Sequence, residues 1–149
     1  MEISLATKSN LLNIYAAVAD CFYDIVDDGT PKEAMNGYVD VENDIWLKAG
    51  TVGFFLLKQF NERIYEGHPF IYSNRRRHSS DAVNSALRWF DKFGPSSYTS
   101  IITNVPACKR YALLSAMKAG FKKTGVYKDA FLKNGKYYDM HLLQRMRKT

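Results

Sequence analysis

From Leu11 to Val26 the apolar residues Leu11, Tyr15, Val18, Phe22 and Ile25 recur at helical spacing, which predicts a helix with one buried face and Ser9 or Asn10 as its cap. Ahead of it, Glu2 to Ala6 reads as a first strand. The stretch from Asp27 to Tyr38, with Gly29 and Pro31, interrupts the pattern and has room for a short second helix. Two β-prone runs follow, Asn43 to Gly50 and Thr51 to Phe60, joined at Ala49-Gly50; a third, Arg63 to Ser73, comes after a turn at Asn61-Glu62. Connections this short predict an antiparallel meander. The helical period then returns, with Val83, Ala86, Leu87 and Phe90 marking a helix that starts near Ser79 and stops before Gly94-Pro95. Tyr98 to Val105 reads as a buried strand, Ala107 to Ala119 as an amphipathic helix closed by Gly120, and the rest as a hairpin turning at Asn134-Gly135. In order this is β, α, α, three antiparallel strands, α, β, α and a hairpin. Residues 1–149 are therefore expected to form a single α/β domain of the mixed α+β kind, a sheet flanked by helices.

Composition changes this picture little. A chain of 149 residues, 46% hydrophobic, supports one buried core and is too short for two ordinary domains. No apolar run approaches the ~20 residues of a membrane span, and the first ten residues lack the apolar centre of a signal peptide, so a soluble protein in the cytoplasm is expected. Cys21 and Cys108 lie in unrelated patterns and the three histidines are scattered; no metal site is expected, and both thiols are expected to be reduced. A formal charge of +6 favours anionic partners without choosing among phosphate-bearing cofactors, nucleic acid and acidic proteins.

The densest charge is Arg75, Arg76 and Arg77, followed by His78, Ser79, Ser80, Asp81 and Ala82 at the expected start of a helix. Unpaired amides and a partial positive charge make a helix N-terminus a phosphate site, and neighbouring arginines add attraction. The same residues equally describe a solvated loop in which Ser79 or Ser80 caps a helix.

This segment, the order of elements around it, and the stretch from Lys109 to Leu143, with Lys118 to Phe121 leaving a helix and Tyr138-Asp139 in the closing hairpin, resemble the GCN5-related N-acetyltransferase (GNAT) superfamily. The resemblance implies a GNAT-like, mostly antiparallel sheet of six to seven strands with about four helices. It also implies acetyl-CoA as co-substrate. In that family an Arg/Gln-x-x-Gly-x-Gly/Ala loop holds the coenzyme pyrophosphate; the matching segment here is Arg77 to Ala82, with Arg76 and Arg77 supplying charge. By the same pattern the main chain of Ile71, Tyr72 and Ser73 would pair with the pantetheine arm as an added strand. Two departures stand out. Ser80 replaces the central glycine, and Asp81 adds a negative charge.

Acetyl transfer needs a deprotonated amine, and many family members place a glutamate on the fourth strand for this. Glu66 and His68 occupy alternate positions there and share a face, Glu66 being the first candidate base and His68 the second. Gly67 and Pro69 between and after them predict a bulge that opens the sheet. The position where the family often carries a tyrosine acid falls on Ala116, with Ser115 beside it and Tyr111 more than a turn earlier. The family's asparagine at the start of that helix falls on Lys109, and Asn104 lies upstream. The resemblance thus implies an N-acyltransferase that moves an acetyl group to an unidentified amine by direct attack, working as a monomer or homodimer. The alternative is a catalytically weak or inactive GNAT-fold binding protein, phage-encoded and associated with particle assembly in the host cytoplasm. Tyr65, Phe70 and Tyr72 near the arginines read as strand packing, so nucleic acid is not an expected partner. Trp46 reads as a packing anchor or a wall of the acceptor cleft.

Overall fold

The computed structural model describes residues 1–149. Seven strands, β1 (Ile3–Leu5), β2 (Ile45–Ala49), β3 (Gly53–Gln59), β4 (Ile64–Ile71), β5 (Ser100–Pro106), β6 (Lys122–Lys133) and β7 (Lys136–Met146), form one sheet in the order β1-β2-β3-β4-β5-β7-β6. Every neighbouring pair is antiparallel except β4 with β5. That pair is joined by a helical crossover, the connection parallel strands require. The helices are α1 (Leu11–Ile25), α2 (Ser79–Phe93) and α3 (Arg110–Lys118), with 3-10 helices at Lys8–Asn10, Lys32–Tyr38 and Ser73–His78. None is long and apolar enough to cross a membrane.

Alternation along the strands sends side chains to two faces, and both are covered. Trp46, Phe54, Leu56 and Phe70 meet Ile14, Ala17, Val18 and Cys21 of α1 on one side. Leu47, Phe55, Leu57, Tyr65, Ile101 and Leu143 meet α2 and the end of α3 on the other, around a ring cluster in which Tyr65 meets Phe90 and Tyr98 edge-to-face. The buried stripe of α1 is Ile14, Ala17, Val18, Cys21 and Phe22, turned from the expected one: Leu11 and Tyr15 are half-buried and Ile25 is 38% exposed. Both stripes satisfy the helical period. The small Ala17 and Cys21 let the helix approach the aromatic floor, so packing selects theirs. In α2 the stripe is Ala82, Ser85, Ala86, Leu87 and Phe90, with Val83 half-buried.

The expected bulge at Gly67 and Pro69 is absent. The β3–β4 register runs from Gly53↔Ile71 to Gln59↔Tyr65 without a shift. Tyr72 N–H donates to Val52 O and the Gly67 carbonyl accepts from Thr103 Oγ1, so odd-numbered residues of β4 turn their amides toward β5. Pro69 therefore removes a donor from the edge away from β3 and costs that ladder nothing. Gly67 is a packing glycine, since a Cβ there would lie 2.9 Å from Ile101 Cγ2 and 3.0 Å from Phe55 Cζ. Register shifts occur instead in β6, at Lys123/Gly125 and Tyr127/Phe131.

The tip of the β6–β7 hairpin turns through Asn134 and Gly135, both with positive φ, as the Asn-Gly pair predicts. It docks on the end of α1, where Lys133 Nζ donates to the carbonyls of Tyr23 and Val26 and Asp28 accepts from the Gly135 amide at 2.8 Å. The amides of Gly135 and Asn134 hold the Asp28 carboxyl below the usual aspartate range, with a smaller contribution from Lys133. A depressed folded pKa stabilises docking fully above the ordinary aspartate value and loses that contribution as pH falls through the folded one. Hydrogen exchange at the Gly135 amide should accordingly become faster, relative to its intrinsic rate, on acidification or in Asp28→Ala; unchanged protection in both would show that Asp28 does not hold the tip.

Candidate active site

β4 and β5 pair only over Ile64↔Ser100, Tyr65↔Ile101 and Glu66↔Ile102. Beyond Glu66 they part, β4 continuing along β3 and β5 along β7, so a gap opens in the middle of the sheet. The odd-numbered edge of β4, from Gly67 to Ile71, faces that gap, with Thr103 bridging to the Gly67 carbonyl at 3.0 Å.

At the mouth of the gap Glu66 and His68 point to the same face of the sheet, the one that also carries Phe70 and α1. Both are half-buried, and His68 Nε2 lies 3.9 Å from Glu66 Oε2. That separation is too long for a hydrogen bond. His68 holds the Glu66 carboxyl below the usual range, Lys58 adds to this, and partial burial opposes it. Lys58 lies directly across the ladder from Glu66 and donates to Asp44 at 2.7 Å. Glu66 is consequently ionised at neutral pH, in a polar row with Asp44, Lys58 and His68.

The β4–α2 junction differs from the expected loop. No glycine lies between Gly67 and Gly94, and Ser73–His78 form a 3-10 helix running directly into α2. Without a residue free to take positive φ, the chain stays in helical conformation. Ser79 N–H donates to Arg76 O, so the amide expected to be free at the start of α2 is satisfied. Ser80 accepts from Asn84 Nδ2 through its carbonyl at 2.9 Å, Asp81 accepts from Ser85 Oγ, and the Ala82 methyl is buried.

The main chain of Ile71, Tyr72 and Ser73 is also largely engaged. The Ile71 carbonyl accepts from Arg76 Nε at 3.1 Å and from the Cys21 thiol at 3.2 Å. Tyr72 N–H joins β3, and Ser73 donates both its amide and its hydroxyl to Asp20 of α1. Arg76 further reaches Asp24 at 3.5 Å. Burial raises the Cys21 thiol pKa, with Arg76 opposing. A clasp of Asp20, Cys21 and Asp24 on α1 thus grips the junction. Sequence reasoning missed it because its partners stand about fifty positions apart. The nearest signal was the spacing of Asp20 and Asp24 on one helix face.

The remaining candidates are more scattered. Arg77 Nε donates to His78 Nε2 at 3.1 Å and its side chain is exposed, so Arg75, Arg77 and His78 are the groups least committed within the protein. Ser115 is exposed on α3, which packs through Leu113 and Ala116 on the face opposite Glu66 and His68. Helix α3 begins at Arg110, later than expected, and buries no residue fully. Trp46 is 1% exposed beneath α1 and does not line a cleft.

No family sequence model matches this chain, and no curated protein is similar to it in sequence. Solved structures do match in three dimensions. A ribosomal-protein-alanine N-acetyltransferase from Brucella melitensis has a TM-score of 0.73 at 18% identity, covering 98% of this chain and 99% of that one. An N-acetyltransferase from Staphylococcus aureus Mu50 has 0.69 at 17%, covering 97% and 96%. A spermidine N-acetyltransferase from Vibrio cholerae, solved with CoA and spermine, has 0.70 at 14%, covering 98% and 95%. The element order, the open seven-stranded sheet and the parted β4 and β5 accordingly make this the fold of the GNAT N-acetyltransferases, along the whole chain.

Proposed function

We propose that the protein is an N-acyltransferase that moves an acetyl group from acetyl-CoA to an amine by direct attack. The observation that carries this reading is the gap between β4 and β5 with Glu66 at its mouth. On the edge of β4 that faces the gap the Pro69 carbonyl and the Ile71 amide offer strand-like pairing to the pantetheine arm, and Arg75 and Arg77, with His78 beside them, offer charge to the phosphates. The acceptor nitrogen attacks the thioester carbonyl carbon, a C–N bond forms, the C–S bond breaks and the coenzyme leaves as thiolate, protonated from solvent. Glu66 attracts the acceptor as an ammonium ion and takes its proton, directly or through water, with His68 alongside. Exposed Ser115, on the opposite face, has no part in this scheme.

Three features work against tight coenzyme binding: the Asp20 carboxylate on Ser73, the Asp81 carboxylate, and the engaged Ile71 carbonyl. Electrostatic attraction through Arg77 is then a large share of what remains. Calorimetric titration with acetyl-CoA, beside ATP as the control for generic phosphate attraction, is the test. Selective binding of the coenzyme is expected, and Arg77→Ala should weaken it about tenfold, as expected for one charge-assisted hydrogen bond, with the difference shrinking as salt is added. Equal, weak binding of both nucleotides would sink the proposal.

A further inference from the structure

Charge is segregated along this chain. Residues 1–62 hold ten carboxylates and four cations, and residues 63–149 hold five and seventeen, which together make the chain's fifteen and twenty-one. Between Asp91 and Asp129 there is no carboxylate side chain at all. Asp91 itself is half-buried at the edge of a surface depression and is paired with the buried Arg145.

Five exposed cations of this half, Arg88, Lys92, Lys118, Lys123 and Lys148, lie on the α2–α3 face of the sheet. Arg88 and Lys92, one turn apart on α2, line two adjoining surface depressions of about 260 and 400 Å³, and Lys148 joins the second. Lys148 also lies against Gly120, the residue that ends the turn after α3, which brings Lys118 into the same belt. Lys123, opposite Leu143 in the ladder, points to this face as well. All of these cations are exposed.

Aromatic and apolar side chains are set among them. Tyr111, on the outer face of α3 with Leu114 and Met117, is 89% exposed; Phe93 is 59% exposed, with Trp89 at 5.1 Å on one side and Lys92 Nζ 5.1 Å from its ring centre. An acidic protein would be served by cations alone. Cations interleaved with open rings suit a polymer that offers both phosphates and stackable bases.

We propose that this belt binds single-stranded nucleic acid. It lies apart from the β4–β5 gap, since Lys92 is about 20 Å along α2 from Ser79 at ~1.5 Å per residue, and it does not depend on the transferase reading. The aromatics read in the sequence as strand packing, Tyr65, Phe70 and Tyr72, lie on or beside β4, the first two in the core and Tyr72 half-buried.

Fluorescence anisotropy with labelled U20 RNA and dT20 DNA tests it and tells the two sources apart. Binding should weaken linearly in log salt, and the K92E/K118E/K148E protein should lose at least tenfold in affinity with a salt slope shallower by about 2. Tyr111→Ala should weaken binding while leaving the slope in place, because stacking carries no counterions. Acetyl-CoA titration should be the same in all these proteins. Should the triple glutamate protein fail to fold, K92Q/K118Q/K148Q gives the same comparison. Binding unaltered by these changes, no binding at 50 mM salt, or equal binding of polyglutamate would overturn the proposal.

Discussion

Asp91→Ala should lower the melting temperature on the order of 10 °C, the largest stability loss expected from a single change that removes no core hydrocarbon. Asp91, with 9% of its side chain exposed, pairs with both terminal nitrogens of Arg145, itself 3% exposed, at 3.0 and 2.8 Å, and also accepts from the Tyr98 hydroxyl. The truncation strands a buried guanidinium, and breaking a buried pair in this way costs about 3–5 kcal/mol. For a chain of this length each kcal/mol is worth roughly 2–4 °C. Replacing both partners, as in D91L/R145M, should recover most of the loss, because no unpaired charge is left behind. Burial, reinforced by the Asp91 carboxylate, holds the Tyr98 phenol far above its usual range. Its hydroxyl therefore stays a donor to Asp91 through the neutral and mildly alkaline range. Thermal unfolding followed by circular dichroism checks both variants. A single substitution no worse than the double one would mean that Arg145 finds water.

Glu66→Gln should reduce kcat by about 10²- to 10⁴-fold with a CoA acceptor-screen substrate in hand, the range that a positioned base contributes, while acetyl-CoA affinity stays constant. Glutamine keeps the shape and the hydrogen-bonding reach of the side chain and removes the charge and the proton acceptor. Because His68 and Lys58 depress the Glu66 pKa, the residue is charged well below neutrality, and its protonation should not set the acidic limb of the rate near neutral pH. Loss of activity through raised KM for the amine alone would assign Glu66 to acceptor binding. Unchanged kcat and KM would remove it from the site.

Much of the architecture was legible one residue type at a time. The Asn134-Gly135 turn, the stop at Gly94-Pro95 and the three consecutive β-prone runs that became β2, β3 and β4 are local signals, and the structure places them where the sequence predicts. The shared face of Glu66 and His68 was legible for the same reason, since alternation in a strand follows from backbone geometry. The conformation of the β4–α2 junction was not. Its arginines and serines suggest a loop ending at a free helix start, yet the absence of glycine lets the helix reach back to Ser73, and Asp20, fifty-three positions away, takes up the Ser73 amide.

The same division runs through the whole molecule. Local chemistry in the chain set the elements, their order, their turns and the side chains each strand offers to either face, because these depend on dihedral preference and hydrophobic period over a few residues. Which stripe of α1 is buried, where β4 leaves β5, which carboxylate meets Ser73 or Arg145, and how the cations of α2, α3 and the last strand adjoin one another are all contacts between distant segments. They were decided when small residues, aromatic rings and paired charges competed for the same space in the packed fold.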